Sequence, residues 1–181
     1  MKEKLNEYYD KGLLYKQTHS YLDLIIWNYS EKVQYESLWD DITLMCRGLV
    51  TNSNGDIVAR PFKKFFNMEE GVHTPTSEFD VYDKMDGSLG ILFNYKDEWV
   101  FATRGSFTSE QSVKGFEMLQ KYEYNKLHKD YTYLFEIIYN DNRIVVDYDF
   151  EDVVLLGMIN TESGYKVDLY SDGNDIRLKN L

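Results

Sequence analysis

The chain has 181 residues, 43% of them apolar, with 16 tyrosines, which excludes a disordered chain and allows one full domain with a real core. Its 20 Lys plus Arg face 31 Asp plus Glu, a formal net charge of −11. That balance excludes a broad nucleic-acid surface, though not a small basic pocket in an acidic shell. In chain order, residues 2–17 read as an amphipathic helix with Leu5, Tyr8, Tyr9 and Leu13 on one face. SYLDLIIWNYS (20–30) reads as a strand, followed by a short helix around 36–45. LVTNSNGDIVARPF (49–62) reads as two strands around an Asn/Gly turn. After KKFFNMEE comes a Thr/Pro/Ser loop at 74–77. VYDKM, SLGILFNY and WVFATRGS follow as strands, with a turn at Lys96–Glu98. Ser109 to Tyr122 is a helix capped by Ser109, with Val113, Phe116, Met118, Leu119 and Tyr122 mostly on one face. TYLFEIIYN, RIVVDY, DVVLLGMIN and GYKVDLY close the series as strands. Strands dominate and short turns join most of them. The expectation is an α+β domain on antiparallel sheet, not alternating βαβ units.

No apolar run approaches the roughly 20 residues of a membrane span, so no membrane partner is expected. The single Cys46 excludes an internal disulfide and a cysteine zinc cluster. A reducing, cytoplasmic location is the default. His19, His73 and His128 lie far apart and fit no metal-ligand spacing, which leaves any metal ligands unknown.

Residues 81–93, VYDKMDGSLGILF, place Lys84 and Asp86-Gly87 between two apolar runs. Asp-Gly is a strong short hairpin signal. The same residues also suit a lysine nucleophile at a backbone bend, where glycine admits a phosphate. Other charges interrupt apolar runs too: Arg47 between LMC and GLV, Arg104 after VFAT, Glu136 inside YLFEIIY. Burying a lone charge costs several kcal/mol, so such groups are paired or bind something. A mutual Arg–Glu pair is the plain alternative. Between positions 47 and 64, Arg47, Arg60, Lys63 and Lys64 face one acid, Asp56. Cations converging on a lysine nucleophile suit a polyanion such as a triphosphate. A carboxylate such as Glu136 can accept from ribose hydroxyls or help hold a divalent metal.

These parts, in this order, resemble the covalent nucleotidyltransferases, and among them the ATP-dependent RNA ligases of the bacteriophage RNA ligase 1 type. Lys84-Met-Asp-Gly-Ser-Leu resembles motif I, and Cys46-Arg47-Gly48 the upstream Cys-Arg-Gly. ARPFKKFFN (59–67), RGSFTSEQ (104–111), LFEIIYNDNRIVVDY (134–148) and DVVLLGMIN (152–160) are similar to further segments of that family, the last three to motifs Ia, III and IIIa. The resemblance implies an adenylation fold of antiparallel sheets with flanking helices. It implies that Lys84 attacks the α-phosphorus of ATP and holds AMP. It implies phosphate contacts from Arg47 and Lys64, a ribose contact from Glu136, and Arg104 in place of the usual motif Ia lysine. Trp27 takes the place of an aromatic beside the nucleotide, Phe66 shapes the adenine pocket, and Asp86 orients the motif I loop. ATP and Mg²⁺ or Mn²⁺ are the implied cofactors. RNA ends, a 5′-phosphate and a 3′-hydroxyl, are the implied partners, in a nick- or tRNA-repair setting in a bacterial or phage-infected cytoplasm.

Motif IV (Glu-Gly-x-Val) and motif V (Lys-x-Lys) do not follow. Arg177 and Lys179 have the Lys-x-Lys spacing without a preceding motif IV. Residues 1–181 are therefore expected to form a C-terminally truncated, partial adenylation domain. It should fold compactly, self-associate through an exposed sheet edge, bind ATP weakly and adenylate itself poorly or not at all. A non-catalytic nucleotide- or RNA-end-binding remnant is the rival reading. A DNA ligase or capping enzyme is a third, disfavoured by Cys-Arg-Gly and ARPFKKFFN.

Overall fold

The computed structural model describes residues 1–70, 76, 78, 81–142 and 145–167. Helix α1 (Lys2–Asp10) stops at Gly12, whose φ of +70° favours a residue without a Cβ. The expected helix to residue 17 therefore ends early. Leu14–Thr18 instead forms strand β1, with Leu14 buried and the next four residues exposed. β1 pairs with β2 (Ile25–Tyr29), β2 with β3 (Arg47–Thr51) and β3 with β4 (Ile57–Ala59), all antiparallel. Between β2 and β3 lie two short helices, α2 (Glu31–Tyr35) and α3 (Asp41–Met45), where one was expected. Ser37, at φ 53°, separates them. Asp40 caps α3 by accepting from the Ile42 and Thr43 N–H groups, and Thr43 completes the capping box.

The second sheet runs β6-β5-β7-β8-β9, again antiparallel. Its strands are β5 (Ser88–Tyr95), β6 (Glu98–Thr103), β7 (Tyr131–Ile138), β8 (Asp152–Asn160) and β9 (Lys166–Val167). Lys96 and Asp97, both at positive φ, make the tight β5–β6 turn. α4 (Glu110–Leu119) starts at Ser109, whose Oγ accepts from the Ser112 N–H, as its capping position predicts. Two expected strands differ. Residues 81–86 carry no regular structure, and neither do 145–148. Arg143, Ile144 and 168–170 lie outside the described residues, as does most of the 74–77 loop.

Strand alternation explains the layers. Ile26, Val50 and Ala59 of the first sheet meet Ile91, Phe93, Leu134 and Ile159 of the second in one inner core. Trp27, Leu49 and Leu14 face the other way, under Leu5 of α1 and Val33 of α2. Leu92, Phe135 and Ile137 face Met118 and Leu119 of α4. The stack is thus helices, sheet, sheet, helix: an α+β fold on two antiparallel sheets. Each fully buried Leu, Ile or Phe contributes about 1.5–3 kcal/mol, so the two face-to-face sheets fix the cleft between them. No helix of the described residues is long and apolar enough to cross a membrane.

Candidate active site

The site forms where the inner faces of the two sheets part. On β7, Leu134 belongs to the inner core. Two residues on, Glu136 continues that row toward the open end. Burial pushes its carboxyl up to about 7, against the nearby positive charge of Lys84, the Gly87 N–H bond and the charge of Arg47; Asp86 adds to the rise. A half-buried carboxylate among cations is poised to accept a hydrogen bond or meet a cation.

The segment holding Lys84 leads into β5. Its Asp-Gly is not a hairpin tip, because Gly87 runs straight into Ser88, which pairs with Ile137. Gly87 lies tight on β7: a Cβ there would meet the Ile137 carbonyl oxygen at 2.4 Å. That approach lets its N–H reach Glu136. Lys84 itself is exposed, at the rim.

Arg47 comes from the first sheet. Trp27 pairs with Leu49 but Asn28 pairs with Arg47, so Gly48 is a bulge residue without a partner on β2. Its φ is +98°, and a Cβ would meet Ile91 Cδ1 at 3.0 Å and the Arg104 backbone at 3.2 Å. Only glycine fits. A one-residue bulge reverses which face the preceding side chain takes, and it brings Arg47 within reach of sheet two. Burial lowers the guanidinium's pKa first, then the charge of Arg104; Tyr29 and Glu136 offset part of this. The Arg47 guanidinium lies 5.0 Å from the ring centre of Phe65, which is 55% exposed. Arg104, just past β6, donates from Nε to Asn28 Oδ1 (3.2 Å) and lies 4.9 Å from the Tyr29 ring centre. Asn28 Nδ2 donates back to the Arg104 carbonyl at 2.7 Å. Next to Arg104 opens a cleft of about 280 Å³ lined by Ser88, Leu89, Thr103, Gly105 and Gln111.

Arg47 from β3, Glu136, half-buried on β7, Arg104 just past β6 and Lys84 from the irregular segment before β5 thus converge. The sequence comparisons bear on what such a site serves. Residues 45–175 match the family model described as RNA ligase, of the bacteriophage RNA ligase 1 type. The chain belongs to this RNA ligase family. It is 31% identical over 176 residues to a protein named "Putative bifunctional polynucleotide kinase/RNA ligase" from Autographa californica nuclear polyhedrosis virus, covering 76% of this chain and 25% of that protein. It is 24% identical over 192 residues to an RNA ligase of Rhodothermus phage RM378, covering 79% of this chain and 43% of the relative. The chain therefore spans less than half the length of either.

Not every candidate ligase residue joins the cluster. Trp27 is 3% exposed, in the outer core, with its indole N–H on Thr51 Oγ1 at 2.9 Å. Tyr29, two positions on, holds the place beside the arginines. Lys64 turns its ammonium to the Phe65 carbonyl (2.8 Å) and the Phe66 ring (4.5 Å to the centre), beside Trp39. It is linked to the cluster only through Phe65. Phe66 packs on Trp39 at 5.3 Å, so the neighbouring Phe65 presents the more open ring. Arg60 leaves the basic set altogether: Nε donates to the Thr161 carbonyl (2.6 Å) and Nη2 to that of Glu162 (3.1 Å). Cys46 is buried and its thiol is pushed up to about 12 by burial, so it serves packing. Arg177 and Lys179 lie outside the described residues. Sequence reasoning passed over Asn28, Tyr29 and Phe65. The signal for Tyr29 was available, since strand alternation puts it on the face of Trp27, nearer the strand end.

Proposed function

We propose that this chain carries the adenylation step of an ATP-dependent RNA ligase. The observation that carries the reading is the meeting of Lys84, Glu136, Arg47 and Arg104 at one end of the inter-sheet cleft. Lysine attacks as the free amine. A bond forms from Lys84 Nζ to the α-phosphorus of ATP, the bond to the bridging oxygen breaks, and pyrophosphate leaves. A 5′-phosphate oxygen on RNA then attacks the same phosphorus and frees Lys84. A 3′-hydroxyl finally attacks the RNA phosphate and expels AMP. Arg47 and Arg104 meet the charge that builds on the phosphate oxygens; a preorganised donor at such a site is worth about 3–4 kcal/mol. Lys64 sits one residue behind Phe65 and reaches the phosphates only by turning from its aromatic neighbours. Glu136 faces the ribose.

Among the described residues no three His, Cys, Asp or Glu side chains cluster to hold a metal. That donor set does not make a dedicated cage. It does fit Mg²⁺ carried by the triphosphate, which takes one or two carboxylates plus phosphate oxygens. Glu136 is the carboxylate that faces the cleft. Such an ion supplies charge neutralisation on the phosphates.

The test is incubation of the chain with α-labelled ATP and Mg²⁺ or Mn²⁺, beside Lys84→Ala. Slow covalent labelling that needs Lys84 is expected. ATP that binds reversibly and leaves no label overturns the adenylation step and leaves a nucleotide-binding protein.

A further inference from the structure

The Lys84 segment is fastened from one side by Asn142 and residues 145–148. Asp86 Oδ2 accepts from the Val145 N–H at 2.6 Å and the Val146 N–H at 2.8 Å. The Asp86 N–H donates to the Tyr148 phenol oxygen at 3.0 Å. Ser88 Oγ donates to Asn142 Oδ1 at 3.0 Å, and Asn142 Nδ2 donates to the Ile137 carbonyl at 3.0 Å. That is the same carbonyl oxygen against which Gly87 is pressed. Five hydrogen bonds therefore bracket the two residues after Met85, on both sides of the tight Gly87 contact.

These bonds do not stabilise a strand. Residues 145–148 form no sheet, and Val145 is 80% exposed. An apolar, exposed stretch gains little from burial. The carboxylate of Asp86 takes up two of its backbone donors, a charge-assisted pair stronger than neutral bonds. The lysine segment, exposed and irregular, equally lacks a ladder of its own before Ser88. Each segment orders the other.

We infer that Asn142 and residues 145–148 are a clamp that positions the Lys84 segment for attack, with Asn142 and Tyr148 as positioning residues acting through Ser88 and Asp86. The inference rests on the adenylation reading. The clamp does not bond to the arginines and meets the cleft beside Arg104 only at its edge, through Ser88, so it acts chiefly on the nucleophile and not on nucleotide affinity. Loss of one neutral hydrogen bond is worth about threefold to tenfold, and misplacing a reacting atom by 1 Å costs about a hundredfold.

Single-turnover labelling with α-labelled ATP tests this on Tyr148→Phe, Asn142→Ala, Asp86→Asn and Asp86→Ala. Tyr148→Phe keeps the ring that meets Phe150 at 5.4 Å. It and Asn142→Ala are expected to slow labelling about tenfold, with half-saturating ATP unchanged within about twofold. Asp86→Asn keeps one acceptor oxygen and should retain more rate than Asp86→Ala. Amide exchange of Val145 and Val146 is a second readout, independent of activity; Asp86→Ala should speed it at least about tenfold. Wild-type rates in the Tyr148 and Asn142 variants, or a change in half-saturating ATP alone, overturn the positioning role. Exchange at Val145 and Val146 that ignores Asp86 overturns the clamp itself. If wild-type chain takes no label, the adenylation reading fails and the exchange data alone judge the clamp.

Discussion

Gly87 and Ile137 stand so close that a Cβ on the glycine would lie 2.4 Å from the isoleucine carbonyl oxygen. That oxygen belongs to β7, held between β5 and β8, and cannot yield. In Gly87→Ala the Lys84 segment must therefore lift off β7. The Gly87 bond to Glu136 breaks with it. We expect Lys84-dependent labelling to fall at least about a hundredfold, and stability in urea to drop by about 1–3 kcal/mol from overpacking. Labelling at the wild-type rate would show that the segment does not need this contact.

Glu136 makes stability depend on pH. Its folded pKa, about 7, is raised above the ordinary 4.5, mainly by burial. The folded state thus binds the proton more tightly than the unfolded state. Its contribution is most favourable below the unfolded pKa and is lost as pH rises through about 5 to 7. Glu136→Gln, neutral throughout, should flatten that slope and be more stable than wild type above pH 7. We expect a gain of about 1 kcal/mol, because solvent screens a carboxylate that is not fully buried. Urea titrations at pH 5 and pH 8 measure it. Parallel pH dependence in both proteins would count against a raised carboxyl.

What was legible in the sequence follows from what it costs to hide a charge. Arg47 and Glu136 stood out because apolar strands surround them, and they do lie near enough for the charge of each to act on the other. Arg60 stood out for the same reason, yet its partners are carbonyls about a hundred positions away, which no local pattern reveals. The β1 strand was hidden because Tyr8, Leu13 and their neighbours fit a helical face; the break comes from Gly12, a conformational demand and not a hydrophobic one. VVDY after Asn142 has strand-like residues, but the Val145 and Val146 N–H groups go to one carboxylate 59 and 60 positions earlier. Alternation placed Trp27 and Tyr29 on one face. Depth along the strand, set by the helices packed outside it, decides which of them reaches the site.

Trp27 and Tyr29 should accordingly separate stability from nucleotide binding. Trp27→Ala opens a cavity in the outer core and frees Thr51 Oγ1, a loss of about 3–5 kcal/mol. Trp27→Phe is the milder variant, and we expect it to lower the urea midpoint while leaving half-saturating ATP unchanged. Tyr29→Leu removes the ring that Arg104 covers and the phenol beside Arg47, so it should raise half-saturating ATP about threefold to tenfold, the loss of about 1 kcal/mol of cation–π contact. The reverse pattern would return Trp27 to the nucleotide.

Arg60 gives the last expectation. It lies at the end of β4 and ties the first sheet to the β8–β9 turn of the second, through the Thr161 and Glu162 carbonyls. Its own N–H donates to Thr132 Oγ1 at 3.0 Å, and Thr132 in turn meets Thr161 Oγ1 at 3.0 Å. The guanidinium is part-buried and burial lowers its pKa, so the Nε bond to Thr161 is partly shielded from competing water. Arg60→Ala leaves two carbonyls short of a charged donor, at about 1.5–3 kcal/mol for a bond to a charged group. Arg60→Lys keeps the charge but not the fork, and should restore less than half of that loss. Both variants should bind and turn over ATP as the wild type does, once measured at a temperature where they are folded. A rise in half-saturating ATP with unchanged urea stability would instead put Arg60 among the phosphate-binding cations.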